Sequence, residues 1–87
     1  MTRLLVLSLC LVARLALADP QCTTEDTSTW KNADAFKASL IEKGYRIKVF
    51  KTTKTNCYEL YGWDPSGKKV EIYFNPVTGA VVKEKKQ

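Results

Sequence analysis

The sequence predicts an α+β fold, in which one N-terminal helix packs on a four-stranded antiparallel β-meander behind a cleaved signal peptide. Three observations support this prediction. Apolar residues recur at every third or fourth position from Trp30 to Ile41, as they do along one side of a helix. After Gly44 the apolar spacing changes to every second residue, which is typical of strands. Two turn sequences, DPSG at 64–67 and NPVTG at 75–79, each reverse the chain within a few residues.

The first eighteen residues are predicted to be a signal peptide, so that the mature chain begins near Asp19. Arg3 provides the positive start, Leu4 to Ala13 the apolar segment, and Ala16-Leu17-Ala18 the small-residue cleavage pattern. The apolar segment is shorter than the roughly 20 residues that span a bilayer. An uncleaved membrane anchor is the competing interpretation. We expect cleavage, periplasmic or secreted localisation, and no stable membrane insertion afterwards.

Removal of the signal peptide takes away Cys10 and leaves one pair of cysteines, Cys22 and Cys57, in 69 residues. Domains of this size are marginally stable without a cross-link. Because an exported chain meets an oxidising compartment, we predict a disulfide between the two. A metal site is the alternative, but two cysteines without any histidine are a poor ligand set. The disulfide would pin residues 19–29, a polar stretch predicted to form an extended leader.

The helix is predicted to run from about Ala33 to Lys43. Asn32 suits the N-cap position, and Asp34 lies in the first turn, where the helix dipole favours negative charge. Gly44 suits the left-handed conformation that ends many helices. The apolar stripe that would face the sheet comprises Trp30, Ala33, Phe36 or Lys37, Leu40 and Ile41.

Four strands follow, in the segments YRIKVFK (45–51), CYELYGW (57–63), KKVEIYF (68–74) and AVVKE (80–84). The last is expected to be short and to fade into a charged tail at 85–87. Asx-Pro pairs with a nearby glycine favour a type I turn that re-enters the strand through a bulge. Strict alternation would place one set of side chains beneath the helix: Ile47, Val49, Tyr58, Leu60, Val70, Ile72 and Phe74.

The sequence predicts no catalytic residues, no cofactor and no metal. It contains no histidine and no glycine-rich phosphate loop, which argues against triad, imidazole and nucleotide chemistry. Glu59 and Glu71 would share a sheet face with Lys48 and Lys69, and cross-strand ion pairing is the simpler interpretation of these carboxylates. Without the signal peptide, 12 basic and 9 acidic residues leave a mild net charge of +3. Export and the lack of a recognition helix argue against nucleic acid.

Aromatic and basic residues gather on the predicted sheet face that is turned away from the helix. Aromatic anchors in a charged surround are typical of protein interfaces. The candidate protein-contact face comprises Phe50, Tyr61, Trp63, Tyr73, Arg46 and Lys48. Two other interpretations stay open: a mixed solvated face, and aromatics covered by the leader that Cys57 tethers. An open sheet edge could also accept an extended peptide, although the lysine-rich last strand is typical of edge protection.

Several short motifs are together typical of one family. They are the helix exit Gly44-Tyr45, CYE at 57–59, DPSGK at 64–68 and YFNPVTG at 73–79. Through these motifs, the part of the chain from Cys22 to Val82 resembles small exported PepSY-domain proteins. A PepSY-like domain is therefore expected at 30–84. The family usually has Asp where this chain has Asn75, and a Ser-containing helix cap where Asn32 serves here. The resemblance implies a helix on an antiparallel sheet and no catalytic motif.

Two functions of different classes fit these features. The first is a non-enzymatic exported binding module that contacts protein, either a peptidase or an envelope protein. Modulation or inhibition of a peptidase is implied by the resemblance, since related domains occur in propeptides of secreted metallopeptidases. The alternative is a small-ligand or ion-sensing accessory domain for an envelope or membrane protein, and a structural role in the envelope is a third.

Overall fold

A computed structural model of the chain describes residues 19–87, and the signal peptide predicted at 1–18 lies outside the described residues. The described part consists of the leader, one helix and one sheet. Its elements in chain order are a short 3-10 turn at Thr27–Thr29, α1 at Ala33–Glu42, β1 at Arg46–Thr52, β2 at Tyr58–Trp63, β3 at Lys69–Phe74 and β4 at Val81–Lys86. The predicted α+β class and the order of elements are confirmed.

Helix α1 begins where the capping pattern predicts. The Asn32 side chain accepts a hydrogen bond from the Ala35 amide at 2.9 Å, which satisfies one of the free donors of the first turn. Leu40 is buried, and Ala33 and Phe36 pack beside it against the core. Ile41, which was expected on the same stripe, is 52% exposed. The helix therefore packs on the sheet along a narrower stripe than predicted.

The sheet is a meander in which β1, β2, β3 and β4 are neighbours in that order, and every pairing is antiparallel. Short connections make such sequential pairing the simplest topology. Strand β4 extends to Lys86 and is longer than expected, because it pairs with β3 as far as Val70. β1 and β4 form the two edges of the sheet.

The core lies between α1 and the sheet. Burial of an aliphatic or aromatic side chain stabilises a fold by roughly 1.5–3 kcal/mol. The buried residues of this core are Leu40, Tyr58, Leu60, Val70, Ile72 and Phe74. Phe36 packs edge-on against Phe74, with 5.0 Å between ring centroids. The buried Tyr58 hydroxyl donates to the Lys31 carbonyl oxygen, and burial raises the pKa of that phenol.

Strand β1 breaks the alternation on which the sequence prediction rested. Ile47 pairs with Gly62 and Val49 pairs with Tyr61, so Lys48 is an extra residue in a β-bulge. A Cβ atom on Gly62 would lie 2.1 Å from the Arg46 carbonyl oxygen, so only glycine allows the backbones to approach this closely. Beyond the bulge, the side chains of β1 lie on the sheet faces opposite to those that strict alternation predicted. Val49, predicted beneath the helix, is 41% exposed.

The two predicted turns have the expected chemistry. The Asp64 Oδ1 atom accepts hydrogen bonds from the Ser66 amide, the Ser66 hydroxyl and the Lys68 amide. The hydrogen bond from the Ser66 hydroxyl is the largest cause that lowers the pKa of Asp64. The Asn75 Oδ1 atom accepts from the Val77 amide at 2.8 Å. Gly67 and Gly79 have φ values of 90° and 82°, a conformation that glycine adopts without strain.

Candidate functional site

The sheet face turned away from α1, called the far face below, is built by the cross-strand register. Residues paired across an antiparallel sheet lie on the same face and in contact distance. One row joins Arg46, Trp63 and Lys69, and the next joins Val49, Tyr61, Glu71 and Lys85. A third row joins Lys51, Glu59, Tyr73 and Lys83.

One half of the far face is open, and its residues Arg46, Val49, Tyr61 and Trp63 are called the open patch. The Arg46 guanidinium lies over the Trp63 ring, 4.8 Å from its centroid, which is a cation–π arrangement. Tyr61 and Trp63 are only partly buried. Val49 joins them because the bulge at Lys48 turns it to this side. The open patch therefore combines two aromatic rings, an aliphatic side chain and a cation.

The other half of the far face is covered by the leader. A Cys22–Cys57 disulfide joins the leader to the start of β2, as predicted. The Cys22 amide donates to the Thr55 carbonyl at 3.1 Å, and the Tyr73 hydroxyl donates to the Asp19 carboxylate at 3.2 Å. Beneath these contacts Tyr73 is 4% exposed and Cys57 is fully buried. The leader thus removes Tyr73 from the accessible surface.

A carboxyl cluster lies at the boundary between the two halves. Glu59 is 8% exposed and lies diagonally across β2 and β3 from Glu71. Burial is the largest cause that raises the pKa of Glu59 to about 7, followed by its interaction with the Glu71 carboxyl group. The interaction with Glu59 is in turn the largest cause that lowers the pKa of Glu71. Burial and the Glu71 hydrogen bond raise the pKa of Tyr73, whose hydroxyl lies 3.0 Å from Glu71 Oε2.

The ion pairs of these carboxylates differ from those expected. Lys51 Nζ lies 3.8 Å from Glu59, and Lys85 Nζ lies 3.4 Å from Glu71. Lys48 and Lys69, the partners expected from the sequence, form neither contact, since Lys48 lies at the bulge and Lys69 one row away. Each observed lysine lies directly opposite its glutamate on the neighbouring strand.

The structure separates the six residues of the predicted contact face. Arg46, Tyr61 and Trp63 lie together in the open patch. Tyr73 shares the face but is covered, as one of the alternative interpretations anticipated. Lys48 is the bulge residue. The prediction that Phe50 shares this face is wrong, because the bulge turns Phe50 toward the core, where its ring lies 5.5 Å from that of Tyr58.

Two features of the site were missed by sequence reasoning. Val49 was assigned to the core, and only the close backbone approach at Gly62 could have hinted at the bulge. The burial of Glu59 was also missed. The face that Glu59 shares with Glu71 was predicted, but the lysines that pair with them, Lys51 and Lys85, depend on distances that strand alternation does not specify.

A groove of about 540 Å³ lies on the opposite side of the molecule, between α1 and the turn that follows β3. Its lining includes Lys31 and Lys43, the Phe36 ring, and Gly79 of the turn. Within residues 19–87, no group of three or more His, Cys, Asp or Glu side chains is arranged to hold a metal ion. In the same range, no helix has the length and apolar character needed to cross a membrane.

The comparisons with known proteins give one result. The sequence matches the family model described as peptidase propeptide and YPEB domain over residues 2–85, which is nearly the whole chain. This match confirms the resemblance that the short motifs suggested. No curated protein and no solved structure matches the sequence.

Proposed function

Because the chain belongs to the PepSY family of peptidase propeptide and YPEB domains, we propose that it is an exported, non-enzymatic module that binds a protein. Domains of this family are associated with peptidase propeptides and with peptidase regulation. The proposed partner is a peptidase, or another envelope protein, that presents an acidic and partly apolar surface to the open patch. Binding would modulate the activity of a peptidase partner.

The open patch is the observation that carries this proposal. Trp63, Tyr61 and Arg46 are the residue types that contribute most to protein interfaces. Pairing of β1 with β2 fixes their backbone, and the cation–π contact at 4.8 Å orients Arg46 over Trp63 before any partner arrives. Preorganised side chains lose less conformational entropy on binding than mobile ones do. The patch is therefore suited to binding without rearrangement.

The charges around the open patch favour an acidic partner. Arg46 and Lys69 flank Trp63 in the same row of the sheet. The only carboxylate in the neighbouring row, Glu71, is paired with Lys85 at 3.4 Å. Complementary charge accelerates association and makes it sensitive to salt. Binding that weakens as ionic strength rises is therefore expected.

Replacement of both aromatic residues tests the proposal. Partners are first recovered from an envelope extract of the source organism and identified, and any peptidase among them is assayed with and without the purified protein. The Tyr61→Ala, Trp63→Ala variant should bind at least tenfold more weakly than wild type, since each anchor contributes on the order of 1–2 kcal/mol. Its effect on the peptidase should fall in parallel.

Ile41→Ala is the matched control, because Ile41 is 52% exposed on α1, away from the far face. It should bind and modulate as wild type does. Equal affinity of wild type and the double variant would remove the open patch from the proposal. A recovered peptidase whose activity is unchanged by saturating protein would show that the module binds without regulating.

One observation favours the alternative function, a small-ligand or ion-sensing accessory domain. The groove beside α1 has the size of a small-molecule site, and two basic residues, Lys31 and Lys43, are part of its lining. An anionic ligand would suit it. Native mass spectrometry of protein purified from its own host should then show the additional mass of a bound ligand. Loss of that additional mass in the Lys31→Ala, Lys43→Ala variant would assign the ligand to the groove.

A further inference from the structure

Strand β1 is an edge of the sheet, and the proposed function uses only the side chains that it contributes to the open patch. Its main chain keeps a regular register with β2 from Val49 to Thr52, and the bulge at Lys48 ends that register. In antiparallel pairs, residues that are hydrogen-bonded to the partner strand alternate with residues that are not. On an edge strand, the main-chain groups of the second kind point away from the sheet.

The hydrogen bond that closes the β1–β2 turn defines this alternation. The Thr53 amide donates to the Cys57 carbonyl oxygen at 2.9 Å. Counting back by two residues, Lys51 is also hydrogen-bonded to β2, and the N–H and C=O groups of Phe50 and Thr52 point outward. In the part of the chain that the structure describes, no main-chain bond from outside the sheet occupies these groups. They are free to pair with another strand.

The other edge of the sheet, β4, is protected by charge. The Gln87 amide donates to the Lys69 carbonyl oxygen at 2.9 Å, so the outward main-chain groups of β4 belong to Glu84 and Lys86. Both side chains are charged, and Lys86 Nζ lies 4.0 Å from the Glu84 carboxylate. Charged side chains on an edge oppose the addition of a further strand. Because the corresponding residues of β1 are uncharged, β1 is the edge suited to strand addition.

The charges along β1 favour an acidic occupant. The segment 43–58 has five basic residues and no acidic residue, and the five are Lys43, Arg46, Lys48, Lys51 and Lys54. Among residues 19–87, only Lys51 of these five has a carboxylate within 4 Å, that of Glu59 at 3.8 Å. A second copy of β1 would place like charges opposite one another, which is destabilising, whereas an acidic strand would complement them.

The position of the nearby carboxylates indicates where the acidic residues of an added strand belong. Asp19 and Glu59 line, together with Lys51, a depression of about 350 Å³ at the C-terminal end of β1. Arg46, at the other end, is the cation of the open patch. Acidic residues of the added strand are therefore expected beside Arg46. Val49 lies between the two ends and is 41% exposed, so an apolar residue is expected beside it.

We propose that β1 accepts an extended, acidic segment of a protein partner as a further strand of the sheet. The outward N–H and C=O groups of Phe50 and Thr52 bond to the main chain of the segment, an apolar residue of the segment lies against Val49, and its carboxylates lie beside Arg46. The edge is continuous with the open patch, since Arg46 and Val49 belong to both. This inference rests on the proposed function for the existence of a partner and specifies how that partner is bound.

Amide hydrogen exchange of purified, disulfide-intact protein tests the edge. The probes are two synthetic peptides of about eight residues, a usual strand length, that alternate valine with threonine and carry glutamates at either the N-terminal or the C-terminal end. The two peptides cover both strand directions. In the free protein the Lys51 amide should exchange slowly and the Phe50 and Thr52 amides rapidly. With one peptide at about ten times its Kd, exchange of Phe50 and Thr52 should slow about tenfold.

The controls separate strand addition from attraction by charge. Thr52→Pro removes an outward N–H group that β2 does not use, and it should abolish the protection of Phe50, whereas Thr52→Ala keeps the N–H group and should behave as wild type. Peptides with lysine in place of glutamate should not protect. If Thr52→Pro fails to fold, peptides methylated on the main-chain nitrogens that face β1 replace it, and undiminished protection by them would overturn the proposal.

Three further results would overturn strand addition at β1. The first is no protection of Phe50 and Thr52 by either peptide at about 2 mM, a concentration that detects even weak binding. The second is protection of Glu84 and Lys86 in their place. The third is protection without peptide that grows with protein concentration, because the occupant would then be a second copy of the chain.

A partner recovered from the envelope distinguishes this proposal from the proposed function. Its affinity should fall at least tenfold in Thr52→Pro and stay unchanged in Thr52→Ala. A partner that is lost in Tyr61→Ala, Trp63→Ala but binds Thr52→Pro as it binds wild type would leave the open patch in place and overturn strand addition alone.

Discussion

A single side chain, Glu59, gives the fold an unusual dependence on pH. Burial raises its pKa from 4.5 to about 7, so the folded protein retains a proton that the unfolded chain releases near pH 4.5. The stability contributed by this proton is complete below pH 4.5 and is lost as pH rises through about 7. The stability that Glu71 contributes depends on pH in the opposite direction. The interaction with Glu59 lowers the pKa of Glu71, so the stability that Glu71 contributes is present above pH 4.5 and is lost in acid.

We expect the free energy of unfolding to fall between pH 5 and pH 8. One pKa unit corresponds to 1.36 kcal/mol, so the fall should be on the order of 2–3 kcal/mol. Urea denaturation at the two pH values measures it. Glu59→Gln should remove most of the difference, while Glu42→Gln should keep it. An equal slope in wild type and Glu59→Gln would show that another group carries the pH dependence.

Strand alternation predicts that Glu59 and Glu71 share a face, and the structure agrees. It does not predict which side chains each of them contacts. Diagonal neighbours on a sheet are within reach of long side chains, so a carboxylate can meet a lysine or another carboxylate there. Asp19 of the leader lines a depression together with Glu59, and the path of the leader follows from contacts distant in sequence.

Strand β1 is the element in which the spacing of apolar residues predicted the wrong faces for the side chains. The helix, the turns and strands β2 and β3 follow their local patterns, because capping, turn and alternation rules act over a few residues. The bulge at Lys48 leaves no such local pattern, since Ile47, Val49 and Phe50 are all apolar and either face accepts them. One inserted residue reverses every later side chain. Phe50 therefore faces the core and Val49 lies on the far face, which is the reverse of the prediction.

The turn after β3 supports a prediction at the same scale. Asn75 Oδ1 accepts from the Val77 and Thr78 amides, and replacement by alanine leaves both donors to water. Asn75→Ala should lower the free energy of unfolding by about 1–2 kcal/mol. Asn75→Asp is the matched control, because its carboxylate offers the same acceptor. Thermal denaturation should distinguish the two, and equal losses would mean that backbone contacts alone define the turn.

At the scale of the whole molecule, residues 19–87 form three layers: α1, the sheet, and a leader over half of the far face. Helix α1 contributes one buried residue, Leu40, to the core. The sequence predicted a tethered leader but not its course, since a disulfide fixes one point of a segment and not its direction. The bonds from the Cys22 amide to Thr55 and from Tyr73 to Asp19 set that course.

Reduction of the Cys22–Cys57 disulfide should therefore destabilise the whole fold. The bond closes 35 residues that contain α1 and β1, and chain entropy assigns to it a contribution of up to roughly 4 kcal/mol. For a domain of this size, the Tm should fall by about 15–30 °C. Calorimetry of oxidised and reduced protein measures the fall, with reduction verified by mass. The double variant Cys22→Ala, Cys57→Ala separates loss of the cross-link from effects of the reductant, and it should melt near the reduced protein. An unchanged Tm in both would mean that the packing of α1 on the sheet is sufficient, and that the leader lies over Tyr73 without contributing to the stability of the domain.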